Sequence, residues 1–247
     1  MHNLVKPPLY LSWAKWLGKQ AAMLISDATV KAFGDHRAVF YSADMEAGIN
    51  WFSYNECQLE QAKAAVVLIS SQGLESHWQH YELGRLHGRP GVSCTPLLLD
   101  VTSAQLKTTP YAHLNCRALT NDTLLRIVQQ GFHSDGVGED FRGELSPEQA
   151  ASDLGLKLDS LVGGFKDLQS YNMIVGLSEK KDERRRVLLE EAVRGLRGAT
   201  VDEGEIVQML IDERIPMAAY ARFFDQFLIQ EVLDRQVMQS DSSVIAG

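Results

Sequence analysis

Short apolar runs alternate with helical patterns through the first half of the chain. Five runs predict strands, and the segments between them carry apolar residues at the three- and four-residue spacing of helices. The predicted strands are 9–13, 38–42, 64–70, 94–100 and 116–119, and the predicted helices are 14–33, 51–63, 77–88 and 121–132. The third run is apolar at nearly every position, which indicates a strand covered on both faces of its sheet.

This alternation predicts right-handed βαβ units and a parallel sheet. The number and order of the elements fit an α/β fold of the flavodoxin-like, doubly wound class with a five-stranded parallel sheet. In that class ligands bind at the carboxyl ends of the strands, beside the first strand. The residues predicted at this edge are Ser12, Trp13, Tyr41, Ser42, Asp44, Ser70 and Ser71.

Beyond residue 134 a polar, glycine-containing stretch is followed by helical patterns only. The sequence Ser146-Pro147-Glu148 is typical of a helix start. An apolar stripe near the end is interpreted as the core of a helical unit, with self-association as the alternative. Its members are Tyr220, Phe223, Phe224, Phe227, Leu228 and Val232. We therefore predict a sheet domain over 1–135, a linker and packing helix over 136–170, and an all-α region over 171–247.

Charge and composition narrow the function classes. A net charge of −8 argues against a nucleic-acid-binding protein, because phosphate contacts need a basic surface. The three cysteines have no C-x-x-C spacing, so neither a disulfide framework nor a zinc site is indicated. A signal-peptide core and an apolar run of membrane length are both missing from the sequence, which predicts a cytoplasmic protein that does not enter a membrane.

Several common site motifs are also missing from the sequence. It has no G-x-G-x-x-G and no P-loop, so neither type of phosphate-binding turn is signalled. The serines have no nucleophile-elbow context, which argues against a serine hydrolase. His77 and His80, with His87 nearby, do not have the spacing of a metal site, and we predict none. The charged run at 180–186 is interpreted as a solvated helix face, with a binding patch as the alternative.

The most distinctive chemistry lies in the helix that follows Ser76. Ser76 is the expected N-cap, and Gln79, three residues on, fits a capping box. Trp78 and Glu82 are four residues apart and share a helix face. A carboxylate beside an aromatic ring can stabilise positive charge on a sugar during glycosidic cleavage, or accept a hydroxyl hydrogen bond. A solvated surface glutamate is the alternative, since most helical glutamates are exposed.

The other candidate residues leave more than one interpretation open. Trp13 and Trp78 lie where stacking on a flat ring is expected, whereas Trp51 fits either the core or the crevice. A glycosidase of the usual type needs a second carboxylate, and Asp44 and Glu46 are the candidates. The alternative is a leaving group good enough that one carboxylate is sufficient.

Seven motifs in order resemble a bacterial Toll/interleukin-1 receptor (TIR) domain over about half of the chain, roughly residues 7–133. They are LYLSW (9–13), FYSAD (40–44), GINW (48–51), AVVLIS (65–70), SHW (76–78), YELG (81–84) and PLLL (96–99). Many bacterial TIR domains cleave NAD+ between nicotinamide and ribose. Some release ADP-ribose, and others make cyclic isomers that act as signals in anti-phage defence.

The resemblance implies a role for particular residues. Glu82 matches the catalytic glutamate of the family, and NAD+ would be a substrate, with no cofactor required. The predicted substrate-binding residues are Trp78, Ser12, Trp13, Tyr41, Ser42, Asp44 and Trp51. Gly48 lies in the loop that gates the site and mediates contacts between TIR domains, which implies a homo-oligomer whose assembly controls activity. A non-catalytic TIR adaptor and a nucleoside or nucleotide N-glycosidase are the alternatives.

Overall fold

Four parallel strands form one sheet in the order β2-β1-β3-β4. The structure, a computed structural model, describes residues 9–34, 39–40, 50–130, 143–174 and 178–245, with side chains up to residue 236. The strands are β1 (Leu9–Ser12), β2 (Val39–Phe40), β3 (Ala64–Ile69) and β4 (Ser93–Leu98). All six residues of the central strand β3 are buried. The predicted α/β class with a parallel sheet is confirmed.

Helices connect these strands and make up the rest of the described chain. They are α1 (Lys15–Phe33), α2 (Trp51–Gln61), α3 (His77–His87), α4 (Asn121–Gln130), α5 (Pro147–Met173), α6 (Glu179–Gly198), α7 (Glu203–Asp212), α8 (Met217–Tyr220) and α9 (Gln226–Ile245). Short 3-10 turns occupy Ser71–Gly73, Ser103–Leu106, Pro110–His113 and Ala221–Phe223. Within the described residues, the helices are all too short or too polar to cross a membrane.

The predicted fifth strand is reduced to one backbone bridge at Arg117. The Arg117 N–H donates to the Pro96 carbonyl at 2.8 Å, and the Leu98 N–H donates to the Arg117 carbonyl at 2.9 Å. The next bond of this ladder, toward the start of β4, would need an N–H on Pro96, which proline lacks. Pro96 therefore ends the pairing on the side of the bridge that faces the start of β4.

Side-chain caps define where several helices begin. Asn50 accepts a hydrogen bond from the Ser53 N–H at the start of α2, and Ser178 does the same for Lys181 at the start of α6. Ser146 and Gln149 exchange side-chain and backbone hydrogen bonds at the start of α5. The predicted helix start at Ser146 is therefore confirmed, because the exchange satisfies two backbone donors that the helix leaves unpaired.

The chain forms two compact units, residues 1–159 and 160–247. The division falls inside α5, which runs unbroken from Pro147 to Met173. In the second unit, α5 and α6 approach each other closely where Gly164 faces Gly195, since a Cβ on Gly195 would lie 3.0 Å from the Gly164 Cα. The domain boundaries predicted at 135 and 171 follow composition and stay a prediction.

The apolar stripe near the end of the chain is only partly a core. Tyr220, Phe224 and Val232 are buried, as predicted, but the Phe227 side chain is 86% exposed. The pattern predicts one helix over 216–238, whereas α8 ends at Tyr220 and α9 begins at Gln226. The break rotates the later residues relative to the earlier ones, so Phe227 leaves the buried face.

Candidate active site

The candidate site lies where β1 and β3 end and α3 begins. In the sheet, β1 lies between β2 and β3, and in sheets of this order ligands bind at the carboxyl end of such a strand. Ser76 starts α3 as predicted, because its hydroxyl accepts the Gln79 N–H at 3.3 Å. The first turns of α3 thereby lie beside the last residues of β1.

Glu82 is buried against β1 rather than solvated. Only 3% of the residue is exposed. The Tyr10 hydroxyl donates to Glu82 Oε1 at 2.7 Å, and the Ser12 hydroxyl donates to Glu82 Oε2 at 2.6 Å. Tyr10 and Ser12 are two residues apart on one strand, so their side chains share the face that α3 covers. Both carboxylate oxygens are therefore held by neutral hydroxyl groups.

Burial and hydrogen bonding act on the pKa of Glu82 in opposite directions. Burial raises the pKa because a carboxylate loses hydration in the protein interior, and hydrogen bonds from Ser12, Tyr10 and Trp78 lower it. Burial is the larger effect, so the pKa of Glu82 lies above its ordinary value. Burial and the nearby carboxylate raise the pKa of Tyr10 as well, so that Tyr10 remains a protonated donor.

Gln79 anchors the first turn of α3 to the sheet. Its side-chain nitrogen donates to the Leu68 carbonyl at 2.9 Å and to the Ser12 carbonyl at 3.3 Å. Its side-chain oxygen accepts the Tyr111 hydroxyl at 3.0 Å. The predicted capping box is therefore half right: Ser76 caps the helix, but the Gln79 side chain is fully buried and joins β1 to β3 instead.

An aromatic surface adjoins the buried carboxylate. It consists of Trp51 and Phe52 on α2 and Trp78 and Tyr81 on α3. The ring centroid of Trp78 lies 4.4 Å from that of Trp51 and 5.2 Å from that of Tyr81. Trp51 is 44% exposed, which excludes the interpretation of Trp51 as a core residue. Trp78 connects this surface to Glu82, because the two residues lie four positions apart on one face of α3.

Two buried polar atoms near the strand ends have no hydrogen-bond partner within the described part of the chain. They are the indole nitrogen Nε1 of Trp13, after β1, and the hydroxyl oxygen of Ser70, after β3. Buried polar groups are nearly always paired, so each such atom needs an explanation. A polar ligand at this edge would supply the missing partners. Trp13 makes no ring contact with the aromatic surface among the described residues.

Glu56 on α2 is a second carboxylate that the sequence analysis did not identify. It forms an ion pair with Arg85 at 3.1 Å. Its negative charge raises the pKa of both Glu82 and Tyr10. The candidates predicted for a second carboxylate, Asp44 and Glu46, lie outside the described residues, and so do Tyr41, Ser42 and Gly48.

The structure thus brings together some predicted site residues. Glu82, Trp78, Ser12 and Trp51 lie together, and Trp13 follows Ser12 with an indole nitrogen that has no partner among the described residues. Tyr10, Gln79 and Glu56 were missed, although the two-residue spacing of Tyr10 and Ser12 on one strand was a usable signal. Across the described ranges, no group of histidine, cysteine or acidic side chains could hold a metal ion.

Comparisons with known proteins identify no relative. The chain matches no family model, no curated protein and no solved structure. The function is therefore argued from the site itself.

Proposed function

We propose that this protein is a TIR-domain NAD+ nucleosidase. It would cleave the bond between nicotinamide and ribose, and release nicotinamide with ADP-ribose or a cyclic ADP-ribose isomer. The observation that carries the proposal is the buried Glu82 carboxylate at the carboxyl end of β1, with the aromatic surface beside it. The resemblance of residues 7–133 to TIR domains supplies the identity of the substrate.

The strand order supports the flavodoxin-like part of this proposal. That class has the order 2-1-3-4-5 with a ligand site where the order reverses at the first strand. The order β2-β1-β3-β4 follows it, and the Arg117 bridge lies on the outer edge of β4, where the fifth strand belongs. Glu82 lies against β1, which is the strand beside the reversal.

The chemistry needs few groups because nicotinamide leaves as a neutral molecule. When the bond between its ring nitrogen and the ribose carbon breaks, the bonding electrons stay with the nitrogen and cancel its positive charge. Positive charge develops on the ribose, and a nearby carboxylate stabilises it. Water then forms the new bond to the ribose carbon and loses a proton, or an adenine nitrogen attacks to give a cyclic product. One carboxylate is sufficient, and we assign that role to Glu82.

Each neighbour of Glu82 has a role in this scheme. Tyr10 and Ser12 hold the carboxylate in one orientation, and a ribose hydroxyl would replace the Ser12 hydroxyl on Oε2 when the substrate binds. Trp78 and Trp51 offer ring faces for the flat nicotinamide or adenine groups. Trp13 and Ser70 would hydrogen-bond to the polar parts of the substrate.

We propose that self-assembly activates the enzyme. Glu82 is 3% exposed and both of its oxygens accept internal hydrogen bonds, so the substrate can reach it only after a rearrangement. Contacts between TIR domains, through the loop that contains Gly48, would drive that change. A role in cytoplasmic anti-phage signalling follows from the resemblance alone.

The same enclosure favours a second candidate, a non-catalytic TIR adaptor. A carboxylate with two internal donors can simply stabilise the junction between β1 and α3. In that case Glu82 positions the surface of α3 for partner binding, and no nucleotide is consumed.

An NAD+ cleavage assay distinguishes the candidates. The full chain is incubated with NAD+, dilute and then under crowding, and nicotinamide is measured by chromatography. We expect Glu82→Gln to reduce the rate by about 100-fold or more. Glu75→Gln, which changes an exposed carboxylate just before α3, should retain the wild-type rate. Turnover that survives Glu82→Gln refutes the assigned role, and no turnover in any assembled state favours the adaptor.

A further inference from the structure

The helical unit, residues 160–247, contains a cavity of about 240 Å³ that the proposed enzyme does not use. Three arginines line it, namely Arg185 and Arg186 on α6 and Arg222 in the turn after α8. We call it the arginine cavity. Its wall includes the Tyr171 ring and the buried Leu189 side chain, and Asp182 is the one acidic residue of the lining. The charged run at 180–186 therefore borders a concave site and is not only a solvated helix face.

Two of the three guanidinium groups lie against aromatic rings of the same unit. Arg185 lies over the Tyr171 ring, 5.6 Å from its centroid, and donates to the Ile174 carbonyl. Arg222 lies over the Phe223 ring, 4.6 Å from its centroid. These ring contacts restrict Arg185 and Arg222, so the two side chains lose less rotational freedom when an anion binds.

The ion pairs of two of these arginines with glutamates can be replaced by contacts with a ligand. Arg186 pairs with Glu183 and Arg222 pairs with Glu190, and all four side chains are substantially exposed. Exposed ion pairs contribute little to stability, so an incoming anion can replace these carboxylates. The Nε atom of Arg185 is buried and has no hydrogen-bond partner in the described chain. The lining carries three arginines and Asp182, and Glu183 and Glu190 pair with two of these arginines from outside it, so an anionic ligand would bind by replacing those two glutamates.

We propose that the arginine cavity binds a small molecule that carries a phosphate group. The planar guanidinium fork of an arginine matches phosphate oxygens with two parallel hydrogen bonds, and the oxygens of one phosphate group can contact more than one arginine at a time. The volume lies below the roughly 300–1,000 Å³ of pockets for drug-sized ligands. A sugar phosphate or pyrophosphate fits that size, with the phosphate among the arginines and a hydroxyl on Asp182.

Calorimetric titration of the full chain tests this site. The probes are orthophosphate, pyrophosphate, ribose 5-phosphate and unphosphorylated ribose. We expect at least one phosphate compound to saturate with a Kd below about 1 mM, and ribose not to bind. Arg186→Gln and Arg222→Gln should each weaken that binding about tenfold, and Arg222→Lys should weaken it less.

The matched control is Arg194→Gln. Arg194 is an exposed arginine of the same helix α6 that does not line the cavity, so its loss should leave the affinity unchanged. Three results would overturn the proposal: no saturable binding of any phosphate compound, equal binding of ribose, or an equal loss of affinity in Arg194→Gln. The last result would mean that general electrostatic attraction, and not the cavity, binds the anion.

Discussion

The charged side chains of the two proposed sites, one in the sheet-containing unit and one in the helical unit, are held in opposite ways. Glu82 is almost completely buried, and neutral hydroxyl groups hold both of its oxygens. Arg186 and Arg222 lie at the surface in ion pairs with glutamates. A buried charge has stronger electrostatic interactions but carries a desolvation penalty, whereas exposed pairs are weak and exchangeable. The first arrangement suits chemistry on a bound substrate, and the second suits reversible ligand binding.

The largest effect on stability should come from the neutral network beneath Glu82. Gln79→Leu removes three hydrogen bonds and leaves buried partners on β1, β3 and Tyr111 unpaired. We expect the free energy of unfolding to fall by about 3 kcal/mol. Urea unfolding followed by tryptophan fluorescence measures it, since all four tryptophans lie in the first 78 residues. Gln230→Leu, on an exposed face of α9, should change it by less than about 0.5 kcal/mol. Equal losses of unfolding free energy in Gln79→Leu and Gln230→Leu would contradict this prediction.

The second-largest effect on stability should come from the two hydroxyl groups that donate hydrogen bonds to Glu82. Tyr10→Phe and Ser12→Ala each remove a hydrogen bond that lowers the pKa of Glu82, so that pKa should rise further. Each change should also cost about 1–2 kcal/mol of unfolding free energy at neutral pH. Carboxyl NMR titration of Glu82 measures the pKa, and the acid side of the NAD+ cleavage profile should move to higher pH with it. Ser53→Ala, which changes an exposed residue of α2, is the control. A Glu82 pKa that falls or stays unchanged in Tyr10→Phe and Ser12→Ala would contradict the prediction.

Replacing the Glu82 carboxyl group by an amide should have a smaller effect, which depends on pH. Because folding raises the pKa of Glu82, its contribution to stability is fully present below the ordinary value of 4.5 and is lost as the pH rises through the folded-state pKa. Glu82→Gln should therefore become more stable relative to the wild type as the pH increases. Urea unfolding at pH 4 and pH 8 checks the sign. A variant that loses relative stability at pH 8 would show that the hydrogen bonds outweigh burial.

The smallest effect should come from the helical unit. Arg222→Gln removes an exposed ion pair with Glu190, and we expect the free energy of unfolding to change by less than about 1 kcal/mol. The difference should shrink further in 1 M salt, which screens exposed charges. Urea unfolding followed by circular dichroism measures both. A loss as large as that of Gln79→Leu would mean that the arginine has a structural role that the ion pair does not explain.

The pattern of the sequence predicted most of the fold near the site. β3 and α3 lie where the apolar run and the Ser76 cap placed them. The short pairing at Arg117 was not predictable from residues 116–119 alone, because one bond of a longer ladder would need an N–H on Pro96 of the neighbouring strand. The helix predicted over 216–238 was broken at Phe224 and Asp225, where periodicity alone shows no interruption.

The candidate site was predictable only as a set of parts. The four-residue spacing predicted that Trp78 and Glu82 share one face of α3. The predicted strand order placed Ser12 at the edge of the sheet where α3 begins. Tyr10 and Gln79 resembled ordinary core and capping residues, because their partners are distant in sequence. The two oxygens of Glu82 meet groups 72 and 70 residues away, and no local pattern reports such contacts.

The sequence by itself determined the alternation of strands and helices, the capped start of α3 and the shared face of Trp78 and Glu82, since each depends on residues a few positions apart. Only the tertiary structure decided that Glu82 is buried, which hydroxyls hold it, and that three arginines of the helical unit face one cavity. The physical reason is that burial and hydrogen-bond partners depend on how separate elements pack. That packing sets the local dielectric environment, and with it the difference between a surface carboxylate and a buried one whose pKa is raised.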